Sequence, residues 1–151
     1  MRISKDSITR IAADTTQYSL GDVITNTVAS VLRFATNNSS GSINSAILVD
    51  SVIAGGTKLQ ADLLLYSAAP TIAADNAAFS PTAAQETNLV AVVPFLTANF
   101  VGAVTAGHTV SVLTAPIPFV APDGVLYGVL VARSTYTPTG AEVITINLGI
   151  V

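Results

Sequence analysis

The run Glu142-Val143-Ile144-Thr145-Ile146-Asn147-Leu148-Gly149-Ile150-Val151 decides the fold. Ile144, Ile146, Leu148 and Ile150 fall on one side of an extended chain, and Val143, Thr145, Asn147 and Gly149 fall on the other. A strict period of two over eight or more residues is the signature of a half-buried strand. Working back from it, Val125 to Tyr136 alternates through Tyr127, Val129 and Val131 until Arg133 and Thr135 mark a polar end. Leu59 to Tyr66 sets Leu59, Ala61, Leu63 and Leu65 against Gln60 and Asp62. Ser42 to Ile53 places Ile43, Ile47, Val49 and Ile53 in one register, and Asp22 to Ala35 does the same for Ile24, Val28, Leu32 and Phe34. Shorter strands are expected at Leu89 to Phe95 and His108 to Thr114, with a weaker one at Ser7 to Ala13.

Turn-forming residues separate these runs: Thr36-Asn-Asn-Ser-Ser-Gly41, Gly55-Gly56, Pro122-Asp123-Gly124 and Pro138-Thr139-Gly140. Seven or eight short strands with such punctuation predict an all-β, antiparallel β-sandwich rather than alternating βα units. The exception is Pro70 to Asn88, a long Ala-rich loop. There Ser80 reads as a cap and Pro81 as the first helical turn of one short helix through Thr82 to Glu86. The expected organisation is an N-terminal arm over 1–17 and a single sandwich domain over 18–151.

Composition narrows the function. Val, Ile and Thr make up roughly a third of the 151 residues, which suits a pleated surface. Charged residues are only 10% of the chain, with six Lys plus Arg, nine Asp plus Glu, one His and no Cys or Trp. Disulfides, thiolate metal sites and thiol nucleophiles are therefore excluded. A net charge of −3 argues against nucleic acid as a partner. The uncharged stretch from Thr87 to Pro122 is broken by Pro94, Pro116 and Pro118, so it does not read as a membrane span. No secretory signal is visible at the N-terminus.

Catalytic motifs are missing as well. The sequence holds no nucleophile elbow, phosphate loop, dinucleotide fingerprint, zinc helix or calcium loop. His108 starts a strand, and Asp50, Asp62, Asp75, Glu86 and Asp123 fall on separate elements. Such residues serve as strand ends, solvated faces and turn caps far more often than as a paired-carboxylate or calcium site. No catalytic residue, metal site, cofactor or small-molecule substrate is expected. Four Tyr and no Trp make a poor platform for stacking sugars.

A surface so poor in charge needs either Ser, Thr and Asn on its exposed strands or other subunits over its apolar parts. Thr25, Thr27, Thr145 and Asn147 fit the first solution. Phe95, Phe100, Val101, Ile117 and Phe119, all in the uncharged stretch, fit the second and are the expected subunit interface of a homo-oligomer. The first ten residues instead carry a net +2 from Arg2, Lys5 and Arg10 against Asp6, and these three cations are the expected contact to a larger acidic partner surface.

Several strings also resemble one another's order in a known family. Tyr18-Ser-Leu-Gly-Asp-Val-Ile24, Val31-Leu-Arg-Phe-Ala35, Ser45-Ala-Ile-Leu-Val-Asp-Ser51 and Asp62-Leu-Leu-Leu-Tyr66 are similar to the first half of the jelly-roll head-decoration (cement) proteins of tailed bacteriophages. Asp75-Asn-Ala-Ala-Phe79, Leu89-Val-Ala-Val-Val-Pro-Phe95, Leu126-Tyr-Gly-Val-Leu-Val-Ala-Arg133 and Tyr136-Thr-Pro138 extend the likeness over nearly the whole chain. The resemblance implies a jelly-roll sandwich, trimeric, seated on the outer capsid surface of a virion. Its partner there would be the major capsid protein, with no enzymatic activity. It transfers no site residue, and the trimer comes from the resemblance alone. A carbohydrate- or receptor-binding jelly roll of a phage spike or fibre is the second expectation.

Overall fold

A computed structural model describes residues 1–10, 15–51, 59–96, 98, 100–101, 108–111 and 115–151. Their strands are β1 (Arg2–Thr9), β2 (Val23–Ile24), β3 (Leu32–Ala35), β4 (Ser40–Asp50), β5 (Ala61–Tyr66), β6 (Leu89–Phe95), β7 (Phe100–Val101), β8 (His108–Ser111), β9 (Ile117–Val120), β10 (Val125–Ala132) and β11 (Val143–Ile150), with one helical turn, α1 (Ala83–Glu86). They form two antiparallel sheets. Sheet one runs β1-β11-β4-β8-β7, with β9 beside β8 on the same edge of β4; sheet two runs β2-β10-β5-β6, with β3 beside β2 on β10. The chain is thus an all-β sandwich, and it crosses between the layers at β1–β2, β3–β4, β4–β5, β6–β7, β9–β10 and β10–β11.

The pattern that decided the fold is realised in β11, which lies between β1 and β4. Ile144, Ile146, Leu148 and Ile150 are buried between the sheets against Leu48, Leu63, Leu65, Phe34 and Phe95. Each such side chain contributes about 1.5–3 kcal/mol of burial free energy. Opposite faces of β5 behave as its sequence predicts, with Leu59, Ala61, Leu63 and Leu65 fully buried.

Four expectations need correction. In β4 the predicted inward set holds only at Ile43, because Ile47 and Val49 face outward while Ala46, Leu48 and Asp50 are buried. The cause is a bulge: Ser45 pairs with Gly149 and Ile43 with Ile150, so Asn44 is an extra residue and the face switches across it. In β10 the residues between the sheets are Leu126, Leu130 and Ala132, whereas Tyr127 and Val129 join a second apolar cluster with Val23 and Tyr66. Ile72, Ala73 and Phe79 of the long loop pack on that cluster, so both faces of β10 are covered. Asp22 to Ala35 is two short strands, and Val28 between them is 81% exposed. Finally, residues 2–9 of the expected arm are an edge strand of sheet one.

The strand total exceeds eight because β2, β3, β7, β8 and β9 are short pieces that share edges. Helix α1 starts one cap later than predicted. Thr82 is the N-cap: its hydroxyl accepts from the Gln85 N–H at 3.3 Å and its own N–H donates to Gln85 Oε1 at 2.8 Å. Ala121-Pro122-Asp123-Gly124 closes as a turn, with the Gly124 N–H on the Ala121 carbonyl at 2.8 Å and Gly124 at φ +67°. Ile53, the Gly55-Gly56 turn, the 11–13 end of the weak first strand and residues 112–114 lie outside the described residues.

Candidate functional site

Most of the charge that the fold brings together lies inside it. Asp75, from the long loop, accepts from Arg10 Nη1 at 2.5 Å through one oxygen. Its other oxygen accepts from the Tyr18 hydroxyl at 2.8 Å and the Thr25 N–H at 2.9 Å. The Arg10 guanidinium lies 4.8 Å from the centre of the Tyr18 ring, and that ring stacks on Tyr136 with centroids 6.4 Å apart. Tyr136 donates its hydroxyl to Glu142 Oε1, and the Thr139 N–H donates to Glu142 Oε2 at 3.1 Å. Glu142 also shares a hydrogen bond with the Asp50 carboxyl.

Local structure aims these groups. Ala141, at φ +61°, turns the chain just before Glu142. The Arg10 N–H then donates to the Glu142 carbonyl at 2.8 Å, extending the β1–β11 ladder to the base of the cluster. Arg10, Asp50 and Glu142 are each at most 4% exposed. Burial first, then the negative charge of Asp50 and the hydrogen bond that protonated Glu142 donates to it, push the Glu142 carboxyl up to about 7, against the pull of Tyr136 and Thr139. Burial first, then Asp50 and Glu142, push the Tyr136 hydroxyl well above its ordinary range. The sequence places Asp50 and Asp75 on separate elements and does not single out Glu142, which the pairing of β11 with β4 brings to Asp50.

Two hollows mark the surface, and the first adjoins this framework. A polar cleft of about 420 Å³ opens beside Arg10 and Asp75 and is lined by Thr16, Thr25, Thr27 and Asn76. An apolar groove of about 360 Å³ lies between β6 and β9, lined by Leu89, Val90, Pro118, Phe119 and Val120 with Ser67 and Asn88. Among the described residues no group of three or more His, Cys, Asp and Glu converges to hold a metal ion.

The predicted site residues divide sharply. Arg2 and Lys5 are exposed on edge strand β1, but Arg10 is sequestered against Asp75 and is unavailable to a partner surface. Phe95 and Phe119 are core side chains, fully buried and 5% exposed, and Phe119 reaches the surface only as part of the groove lining. Their burial follows from alternation: Phe95 shares the inward face of β6 with Val93. Ile117 is half-buried against the core. The Phe100 and Val101 backbones pair with Val110 and Thr109, and their side chains lie outside the described residues. His108 pairs with Asp50 through its backbone, and its side chain is likewise outside them. Val120, an apolar residue of the uncharged stretch expected to be covered, is exposed in the groove lining, as is Leu89, which the sequence does not single out; Val92 is exposed elsewhere on β6. All four Tyr are buried.

No protein-family model matches the chain, and no curated protein matches it significantly.

Proposed function

We propose that this chain is a structural subunit of a larger protein assembly, namely a decoration protein that binds the outside of a phage capsid and reinforces its contacts as a homo-oligomer. The observation that carries the reading is the groove between β6 and β9. In its lining Val120 is 63% exposed and Leu89 38%, both from a stretch that has no charged residue between Thr87 and Pro122. Apolar surface of that kind is covered in proteins that work among neighbours. The polar chemistry supports the same reading, because Arg10, Asp75, Asp50 and Glu142 are committed to one another in the interior. The order of strand and loop strings shared with jelly-roll cement proteins supplies the capsid and the trimer.

Burial of Tyr18, Tyr66, Tyr127 and Tyr136 leaves no tyrosine face for stacking on a sugar, so the glycan-binding reading gains nothing from the geometry. The test is native mass measurement of the purified protein, followed by mixing with undecorated phage shells and imaging. Stoichiometric density on the outer shell is the expected result. A monomer that leaves shells bare sinks the proposal.

A further inference from the structure

Strand β1 pairs on one side only, with β11. The bond from the Arg10 N–H to the Glu142 carbonyl fixes the phase of this ladder, so Arg2, Ser4, Asp6 and Ile8 turn their backbone groups towards β11. Ile3, Lys5, Ser7 and Thr9 turn theirs outward. Two of these outward N–H groups are already satisfied within the chain. The Ser7 N–H donates to Asp6 Oδ1 at 2.8 Å, and the Thr9 N–H donates to Asn26 Oδ1 at 2.9 Å. Asp6 Oδ2 also accepts from the Arg33 N–H of β3 at 2.7 Å, which closes that half of the edge against sheet two. The other half stays open: Ile3 and Lys5 present N–H and C=O groups outward, Ile3 is 53% exposed, and Arg2 and Lys5 are exposed without an ion pair among the described residues.

We infer that the Arg2–Lys5 edge of β1 accepts one extended segment of a partner protein as an added antiparallel strand, and that this segment carries two acidic residues flanking an apolar one. The spacing follows from the pleat. Lys5 and Ile3 project on one face and Arg2 on the other. A segment running antiparallel therefore meets them in the order acid, any residue, apolar residue, acid. Directly opposed unlike charges stabilise such a pair, and like charges oppose it.

A second copy of this chain does not fit. Antiparallel pairing of β1 with itself, Ile3 opposite the copy's Lys5, leaves Lys5 without an acidic partner and offers Arg2 only Asp6, whose two oxygens already accept from the Ser7 and Arg33 N–H groups; no two Asp or Glu residues of the sequence stand three positions apart. Edge lysines are a common guard against self-pairing, and the charges that exclude a copy select an acidic strand. The inference goes beyond the capsid reading and stands on edge geometry alone, so a peptide tests it without a shell.

The experiment uses the full chain and a fluorescent peptide containing Glu-Thr-Val-Glu between Ser and Thr flanks, followed by anisotropy. Saturable binding is expected. It should weaken about tenfold for the Lys-Thr-Val-Lys peptide and for Lys5→Glu. Ile3→Pro removes an N–H that faces away from β11, so the sandwich keeps its melting temperature while binding is lost. Should that variant misfold, N-methylation of the peptide's Val amide removes the reciprocal bond of the same pair, from the Val N–H to the Ile3 carbonyl, and N-methylation of the central Thr leaves both bonds intact. No saturable binding at millimolar peptide, equal binding of the basic peptide, or indifference to the Val N-methyl group overturns the inference.

Discussion

Tyr136 donates its hydroxyl to the Glu142 carboxylate, and both lie in the interior beside the second carboxyl of Asp50. Two acids with only one proton to share need that proton to remain buried together. The facing groups are Asp50 from β4, Tyr136 before β11 and the Arg10 guanidinium, whose charge Asp75 already balances.

Stability should therefore fall as pH rises through neutrality. Folding raises the Glu142 carboxyl from 4.5 to about 7, so the protonated group favours the folded state. That contribution is complete below the unfolded value and is lost as pH climbs through about 7. Thermal melts at pH 5.5 and 8.5 should differ by roughly 5 °C, lower at the higher pH. Glu142→Gln keeps an acceptor for Tyr136 and cannot ionise, so it should flatten this difference. An unchanged slope in the variant would contradict the assignment.

Removing one member of the Arg10–Asp75 pair should cost more than removing both. Arg10→Met leaves Asp75 charged in a largely enclosed site, and a loss of about 3–5 kcal/mol is expected from denaturant unfolding. Asp75→Asn alongside it keeps an acceptor for Tyr18 and the Thr25 N–H. The double variant should recover at least about 1 kcal/mol of that loss.

Gly128 has no room for a methyl group. A Cβ there would stand 2.9 Å from Phe34 Cε2 and 3.0 Å from Leu63 Cδ1, between the two sheets. Gly128→Ala should destabilise by about 1–3 kcal/mol through overpacking. Pairing it with Leu63→Val, which retracts the blocking methyl, should restore part of the loss in the same unfolding assay.

Groove and core residues of the uncharged stretch should respond in opposite ways. Val120→Lys and Leu89→Lys alter exposed positions, so melting should change by no more than about 0.5 kcal/mol while the native mass drops to that of a monomer. Phe95→Ala should instead cost about 3–5 kcal/mol by opening a cavity in the core. An oligomer that survives both lysine substitutions would place its contacts elsewhere.

Strand β11 was legible because one face is buried and the other is half-exposed at Val143, Thr145 and Asn147, which is the condition under which a period of two records burial. Where that condition fails, the pattern misleads. The long loop covers the outer face of β10, so Tyr127 and Val129 look like the core face although Leu126 and Leu130 occupy it. At Asn44 one extra residue reverses the face of β4, and nothing in a run of Ile, Ala, Leu and Val marks where. The polar cluster was illegible for a different reason. Arg10, Asp75 and Glu142 are distant in sequence and meet only after both sheets form. An isolated arginine near a terminus then reads as solvated, when its low exposure comes from a partner 65 positions away.

The order of strands in sheet one also sets a timetable. Ser7 and Thr145 share a hydrogen bond across 138 positions of chain, and β11 is the strand that separates β1 from β4. During synthesis β1 has no ladder partner, and β4 has β8 and β9 on one edge only, until β11 has left the ribosome. Closing so wide a loop comes late and slowly, since its entropy must be lost before the ladder repays it. The sandwich is thus sealed by β11, and the edges of β1 and β4 that it joins stay unsatisfied until it arrives.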